Sequence, residues 1–161
     1  MKETVSTMTL FKIIIVFTFL FAAFLSVAIL YNRVYRLKNQ TTSILEKYEG
    51  FNNNSAEIIN SYLKNSGYNT TGRCEADEFG VPSLDFTSIE PVVSGKRYFY
   101  CLSYYCKDGT SCDINSKNNK IFFKVKLFFK FELPYFGELF TFKITGDTKE
   151  IIYYNENQKL S

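Results

Sequence analysis

The stretch LFKIIIVFTFLFAAFLSVAILYNRVYRLK, residues 10–38, decides how this chain of 161 residues is organised. Residues 13–31 carry no charge, and as an α-helix they would extend about 28 Å, close to the thickness of a bilayer's hydrocarbon core. A cleavable secretion signal has a shorter apolar region that ends at a small-x-small site, which Ser26, Val27 and Ala28 would supply. Because the run is longer than such a signal needs, we expect residues 13–31 to be an uncleaved transmembrane helix that follows a cytoplasmic segment, residues 1–12.

The charges beside this span favour one orientation only weakly. Lys2 and Lys12 precede it and Arg33, Arg36 and Lys38 follow it, so the positive-inside rule slightly favours a cytoplasmic C-terminal part. The charge of the N-terminal amine nearly cancels that difference. The cysteines favour the opposite orientation, because all of them follow the span and disulfides form in oxidising compartments. We therefore expect a single-pass protein of the cell membrane, with its N-terminus in the cytoplasm and its C-terminal domain outside.

The four cysteines, Cys74, Cys101, Cys106 and Cys112, are an even number on one side of the span. An Asp-Gly turn signal inside CKDGTSC, residues 106–112, favours a disulfide between Cys106 and Cys112, which leaves Cys74 to pair with Cys101. The alternatives are a zinc site, which normally uses closely spaced cysteine pairs, and four reduced, buried thiols. The spacing and the lack of histidine disfavour zinc, so we expect two disulfides and no metal.

The composition argues against nucleic-acid binding and catalysis. With 19 basic and 16 acidic residues the net charge is only +3, and the lysines are not clustered, so nucleic acid is not an expected partner. The chain has no histidine, no G-x-S-x-G motif and no glycine-rich phosphate loop. The acidic cluster Glu75, Asp77 and Glu78 lacks the spacing of a calcium loop and is expected to be a solvated turn. We therefore expect no enzyme activity and no cofactor.

Residues 32–67 are predicted to be an amphipathic helical segment that packs on its own domain. Gly50 and the asparagines at 52–54 predict a break, after which Asn54 and Glu57 would form an N-cap and its capping box. Gly67 predicts the end of the segment. A coiled coil is the alternative, but the heptads are few. The predicted inner face consists of residues spaced three and four apart: Val34, Leu37, Thr41, Ile44, Tyr48, Phe51, Ser55, Ile58 and Tyr62.

The strongest strand pattern is IFFKVKLFFKFEL, residues 121–133, in which every second residue is apolar while Lys124, Lys126, Lys130 and Glu132 share the opposite face. Further strands are expected in KRYFYCLSYY, LFTFKIT and TKEIIYY, with turns at PYFG and at Gly146-Asp147. Together they predict a cysteine-containing antiparallel β domain, residues 68–161, with about four strands in a meander. The amphipathic helix would cover its apolar face, so the predicted class is α+β.

This layout, a hydrophobic N-terminal helix that emerges as an amphipathic helix on a small antiparallel sheet, resembles that of type IV pilins and pseudopilins. The segment FFKFELPYFGELFTFKITGDTKEI looks like the C-terminal strand pair of TadE-like minor pseudopilins of Gram-positive tight-adherence systems. The resemblance implies a non-catalytic, membrane-anchored structural or accessory subunit of a pilus or secretion apparatus. It also implies that pilin-like or other membrane subunits are partners through the N-terminal helix.

Other interpretations of the sequence stay open. Pilin-like precursors carry a Glu near the start of the apolar run, and residues 8–12 offer none, which is compatible with an unprocessed, membrane-resident accessory subunit. A secreted, disulfide-bonded binding module, released by cleavage after Ala28, is the main alternative. An anchored surface protein unrelated to pili is the second alternative.

A stripe of small residues marks the surface through which the span would meet another helix. Thr18, Ala22 and Ser26 recur every four residues, so on a helix they share one face, whereas bulky residues cover much of the rest. Small residues let membrane helices approach closely. We refer to these three residues as the seam and predict that it is a helix-association surface.

Overall fold

The computed structural model describes residues 2–106, 119–133 and 137–153. Within these ranges the chain forms two helices and six strands, so the predicted α+β class is confirmed, with six strands in place of about four. The elements are α1 (Lys2–Lys47), α2 (Asn53–Asn65), β1 (Phe79–Val81), β2 (Glu90–Pro91), β3 (Tyr100–Cys106), β4 (Asn119–Leu133), β5 (Gly137–Asp147) and β6 (Ile151–Tyr153).

The strands form one antiparallel sheet in the order β2-β1-β3-β4-β5. β6 pairs with β4 rather than with β5, on the same edge of β4 that β5 occupies. The predicted turn at Gly146-Asp147 is therefore wrong, because the chain continues in the same direction. Thr148 holds it there, since its backbone N donates to Phe123 O and its Oγ1 accepts from Phe123 N, each at 2.9 Å.

The main core lies between the inner face of the sheet and the two helices. The buried face predicted for β4 is confirmed from Ile121 to Phe129, because Ile121, Phe123, Val125, Leu127 and Phe129 are all buried. The last two predicted members, Phe131 and Leu133, lie outside the residues whose side chains the structure describes. The C-terminal part of α1 and one face of α2 cover the buried face. The buried apolar residues of the helices are Val34, Leu37, Ile44, Leu45, Ala56, Ile59 and Leu63.

The predicted break between the helices is present, but its details differ. Glu49 and Gly50 have positive φ angles of 55° and 126°, which end α1. The N-cap of α2 is Asn52, whose Oδ1 accepts from Ser55 N at 2.9 Å, so the predicted cap at Asn54 with Glu57 is wrong. Because the break resets the helical phase, α2 buries Ile59 while the predicted Ile58 is 37% exposed.

The outer face of the sheet is not simply solvated. The segment 68–78 crosses it, anchored by a backbone bridge between Gly72 and Tyr98 and packed so closely that a Cβ on Gly72 would lie 2.1 Å from the Phe128 ring. This cover buries Phe128 and Lys126, which are 3% and 4% exposed. The simple division of β4 into an apolar inner face and a polar outer face therefore fails at these two residues.

Candidate interface on the N-terminal helix

Between Met8 and Ile29, α1 makes almost no contact with the other residues that the structure describes. Its large apolar side chains between Met8 and Ile29 are 41% to 72% exposed, and the core begins only at Val34. Among the described residues this is the one helix long and apolar enough to cross a membrane, with a mean hydropathy of 2.9 in its most apolar window. An apolar surface of this extent needs a cover, either lipid or other protein.

The seam lies on this uncovered surface. Thr18, Ala22 and Ser26 are exposed on a continuous helix, so their spacing of four places them on one face. The Thr18 hydroxyl donates to Ile14 O of its own helix at 2.8 Å. It therefore offers its oxygen as an acceptor to a neighbouring helix, while its small size permits close approach.

An aromatic and basic zone follows the apolar part of α1. Tyr31 and Tyr35 stack with ring centroids 6.3 Å apart, and Lys38 Nζ lies 4.5 Å from the centroid of Tyr35. Arg33 donates through Nη2 to Ser66 O at the end of α2 and so ties the two helices together. Tyrosine and basic side chains in this order are typical of a membrane–water boundary.

The cysteines cross-link the sheet and the segment 68–78 that covers its outer face. Cys74 and Cys101 form the predicted disulfide, with their Cα atoms 5.7 Å apart, and fix the segment 68–78 to β3. Cys106 is also disulfide-bonded, and its predicted partner Cys112 lies outside the described residues. A Glu78 carboxylate oxygen and both sulfurs lie within 4.8 Å of one another. Because metals bind thiolates and not disulfide sulfurs, this group fits a structural bond better than a metal site.

A buried ion cluster lies next to this disulfide. Lys126 Nζ is 2.8 Å from Glu75 Oε1 and 2.6 Å from Glu78 Oε1, and the side chains of Lys126 and Glu78 are each only 5% exposed. Burial disfavours the charged ammonium, but the hydrogen bonds to Glu75 and Glu78 outweigh it and raise the pKa of Lys126. The solvated acidic turn expected at 75–78 is thus half wrong, because Glu78 is buried and paired.

The other strongly shifted groups are core tyrosines with structural hydrogen bonds. Burial raises the pKa of both Tyr68 and Tyr100 far above the ordinary value. The Tyr68 hydroxyl donates to Phe99 O at 2.7 Å and accepts from Phe128 N at 2.9 Å. The Tyr100 hydroxyl donates to Asn60 Oδ1 at 2.9 Å. These hydroxyls join elements of the domain and face no nucleophile or base among the described residues.

Comparison of the chain with family models, with curated proteins and with solved structures finds no match. The resemblance to TadE-like pseudopilins therefore stays a prediction from the sequence layout. Of the predicted site residues, the structure brings together Cys74 and Cys101 in a bond and the seam residues on one face. Sequence reasoning missed the cluster of Lys126 with Glu75 and Glu78, for which the only signal was a cysteine beside an acidic run.

Proposed function

We propose that this chain is a single-pass, membrane-anchored and non-catalytic structural subunit of a pilus or secretion apparatus at the cell surface. Its N-terminal helix would bind the hydrophobic helix of another subunit, and its α+β domain would lie outside the membrane. The proposal is supported above all by α1, a single helix of 46 residues whose apolar side chains are exposed from Met8 to Ile29 and whose part from Val34 to Leu45 belongs to the core.

The continuity of α1 favours an assembly role over a simple tether. A tether needs only a span and a flexible linker, whereas here the span and the domain share one helix without a break from Lys2 to Lys47. A neighbouring helix that packs on the seam would therefore fix the position of the domain as well. The TadE-like layout predicted from the sequence has the same arrangement.

The Cys74–Cys101 disulfide supports the proposed orientation. Disulfides persist in extracytoplasmic compartments and are rare in the cytosol. Since the weak charge difference around the span does not oppose this strongly, we place the domain outside and the N-terminus inside. Labelling of the domain by a membrane-impermeant reagent in intact cells would test that placement.

A secreted binding module is the second candidate, and one observation favours it. Cleavage after Ala28 would leave all residues of the main core, from Val34 onward, in the released domain. Intact mass distinguishes the two candidates, because the uncleaved chain has a mass of 18.7 kDa and the released one lacks 28 residues.

Site-specific photocrosslinking in the native cells tests the proposed assembly role. A photoreactive residue at Ala22 should give an adduct with a membrane protein, whereas one at Leu20, which is 65% exposed and lies on the opposite side of the helix, should not. Ala22→Leu should leave membrane insertion unchanged, because leucine is at least as apolar, and should abolish an adduct formed from Ser26. Equal adducts from positions 20 and 22, or an adduct that survives Ala22→Leu, would contradict the proposal.

A further inference from the structure

β5 is the last strand of the sheet, and its outer edge is long and unprotected. The opposite edge of the sheet is β2, which has only two residues, and one of them, Pro91, has no N–H to donate. Short strands and proline are common ways in which proteins protect a sheet edge from further pairing. The part of β5 from Thr141 to Asp147 has neither protection.

The hydrogen bonds of β4 show which of its backbone groups face β5. Phe123 O accepts from Thr148 N, on the side of β5 and β6. Phe128 N instead donates to the Tyr68 hydroxyl, which donates to Phe99 O directly before β3. Because the backbone groups of successive residues point to opposite sides of a strand, the odd-numbered residues of β4 bond towards β5 and the even-numbered ones towards β3.

The register of β4 and β5 then shows which groups of β5 face outward. Residues 125, 127 and 129 of β4 lie opposite residues 146, 144 and 142 of β5, whose backbone groups are therefore used inside the sheet. The N–H and C=O groups that point away from β4 belong to Thr141, Lys143, Thr145 and Asp147. Within the part of the chain that the structure describes, these backbone groups make no hydrogen bond. They form a row of free donors and acceptors, which is a template for another strand.

An apolar groove of about 290 Å³ lies beside this edge, between α1 and the inner face of the sheet. Leu30 and Val34 line its helix side, and Phe142 and Ile144 line its sheet side. Lys143, whose Nζ pairs on the outer face, also borders the groove, which therefore reaches the edge of β5. A strand added to β5 would direct every second side chain to the inner face and so into this groove.

The outer face of the same edge carries two opposite charges. Lys143 and Asp147 have side chains that are 62% and 50% exposed. Their partners within the chain, Glu75 at 3.3 Å and Lys124 at 4.0 Å, are exposed as well. Opposite charges that face each other across an antiparallel pair stabilise the pairing. An added antiparallel strand would therefore suit a basic residue opposite Asp147 and, four residues later, an acidic residue opposite Lys143.

The direction of β5 argues against a second copy of this chain as the added strand. β5 runs in the same direction as α1, because Lys149 N bonds to Glu46 Oε1 near the end of α1 whereas Ile144 lies beside Leu30. Antiparallel pairing of β5 with the β5 of a second copy would invert the second span, so the two copies could not share one membrane. Parallel pairing sets each residue opposite a neighbour of its equivalent, so two identical edges cannot pair with two-fold symmetry. The exclusion of a second copy rests on the membrane anchoring in the proposed function.

We propose that the edge from Thr141 to Asp147 binds an extended segment of a partner protein, which adds to the sheet as an antiparallel strand beside β5. The segment carries a basic residue and, four positions later, an acidic one on the outer face, and apolar residues at the alternate positions that enter the groove. Backbone hydrogen bonds supply the affinity and the groove supplies the specificity. This surface is separate from the seam, so the chain has a second interface outside the membrane.

Amide hydrogen exchange, followed by NMR in the full-length protein in mild detergent, tests this pairing. The probe is the synthetic peptide Lys-Val-Thr-Val-Glu-Val-Thr, whose first residue would lie opposite Asp147 and whose fifth residue would lie opposite Lys143. Two N-methylated forms of the peptide are matched controls. Methylation of the threonine at its third position removes an N–H that points towards β5, whereas methylation of the valine at its fourth position removes one that points away.

Without peptide, the amides of Lys143 and Thr145 should exchange fast, and the amide of Ile144, which is bonded to β4, should exchange slowly. The parent peptide at about 1 mM, binding with a Kd of about 0.1 mM, should slow the exchange of the first two amides about tenfold. The peptide methylated at valine should act equally, and the peptide methylated at threonine should have no effect. Equal protection by both methylated peptides, or no protection by the parent peptide, would overturn the proposed pairing.

Slow exchange of Lys143 and Thr145 in the absence of peptide would also overturn the proposal, and a dilution series shows in which respect. Protection that increases with protein concentration would mean that a second copy covers the edge, which contradicts the partner assignment. Protection that is independent of concentration would mean that the chain itself covers the edge. A failure of the anchoring would instead be seen in the intact mass, as the loss of residues 1–28, and would leave the exchange results with the peptides unchanged.

Discussion

Replacing Lys126 by methionine tests the energetic role of the ion cluster on the outer face of the sheet. Methionine keeps most of the apolar stem of lysine and removes the charge, so the loss is mainly electrostatic. Glu75 is 61% exposed, and its ion pair contributes only about 0–1 kcal/mol. Glu78 is 5% exposed, so the variant would leave its buried carboxylate without a cation. Removing one partner of a buried ion pair costs about 3–5 kcal/mol. Because Glu78 Oε2 still accepts from Glu75 N at 2.8 Å, we expect about 3 kcal/mol, the lower end of that range.

Thermal unfolding of the full-length protein in mild detergent, followed by near-ultraviolet circular dichroism, measures this loss. For a domain of this size, about 3 kcal/mol corresponds to a decrease in Tm of about 10 °C. The matched control is Lys124→Met, two positions earlier on β4. The Lys124 side chain is 41% exposed, and its Nζ lies 4.0 Å from Asp147 Oδ1, which makes this ion pair long and solvated. The control should change the free energy of unfolding by less than about 0.5 kcal/mol.

A double variant separates the ion pair from packing. Lys126→Met combined with Glu78→Gln removes both charges and keeps an acceptor for the backbone N of Glu75, so most of the lost stability should return. If Lys126→Met and Lys124→Met have equal, small effects, the burial argument is wrong. If the double variant is as unstable as Lys126→Met alone, the loss comes from packing and not from the unpaired Glu78.

Two further predictions concern the same domain. Replacing both Cys74 and Cys101 by alanine should lower the free energy of unfolding by about 3 kcal/mol, given their separation of 27 residues. In protein taken from its native membrane, non-reducing peptide mass analysis should find this pair bonded. Free thiols at these positions would contradict the proposed orientation. Burial raises the pKa of Tyr100 above its ordinary value of 10.0 in the folded protein. The contribution of the protonated Tyr100 hydroxyl to the free energy of unfolding is therefore complete below about pH 10 and is lost as the pH rises further, because the unfolded state releases this proton first. Stability measured between pH 8 and 11 should therefore fall above about pH 10, with a smaller slope in Tyr100→Phe; an unchanged slope in that variant would refute the assignment.

Local patterns were sufficient to predict the elements that build the main core. The alternation from Ile121 to Phe129 specifies a strand with one buried face, and the spacing from Val34 to Ile44 specifies the helix that covers it. Gly50 also marked the helix break, because its φ of 126° suits glycine. These predictions hold because each depends on neighbours close in sequence.

The predictions that were wrong depend on distant contacts or on equivalent local choices. Three consecutive asparagines can each cap a helix, and the structure uses the first of them, Asn52, with Ser55 as its capping-box partner. Gly146 resembled a turn residue, but it lies within β5, where a Cβ would be 2.8 Å from Lys38 Cγ and would have to displace that side chain. Lys126 follows the polar face of β4, but it is buried by the segment 68–78, whose Glu75 lies 51 residues away in sequence and which the Cys74–Cys101 disulfide fixes to β3.

The uninterrupted α1 also couples the position of the domain to the thickness of the bilayer. A membrane helix adjusts to a thinner or thicker hydrocarbon core by changing its tilt. Between Ala22 and Lys47, where α1 ends, the helix acts as a lever of about 37 Å. A change in tilt of about 10° would therefore move the far end of the domain by about 6 Å. Lipid composition alone would thus reposition the surface that this domain presents to its neighbours.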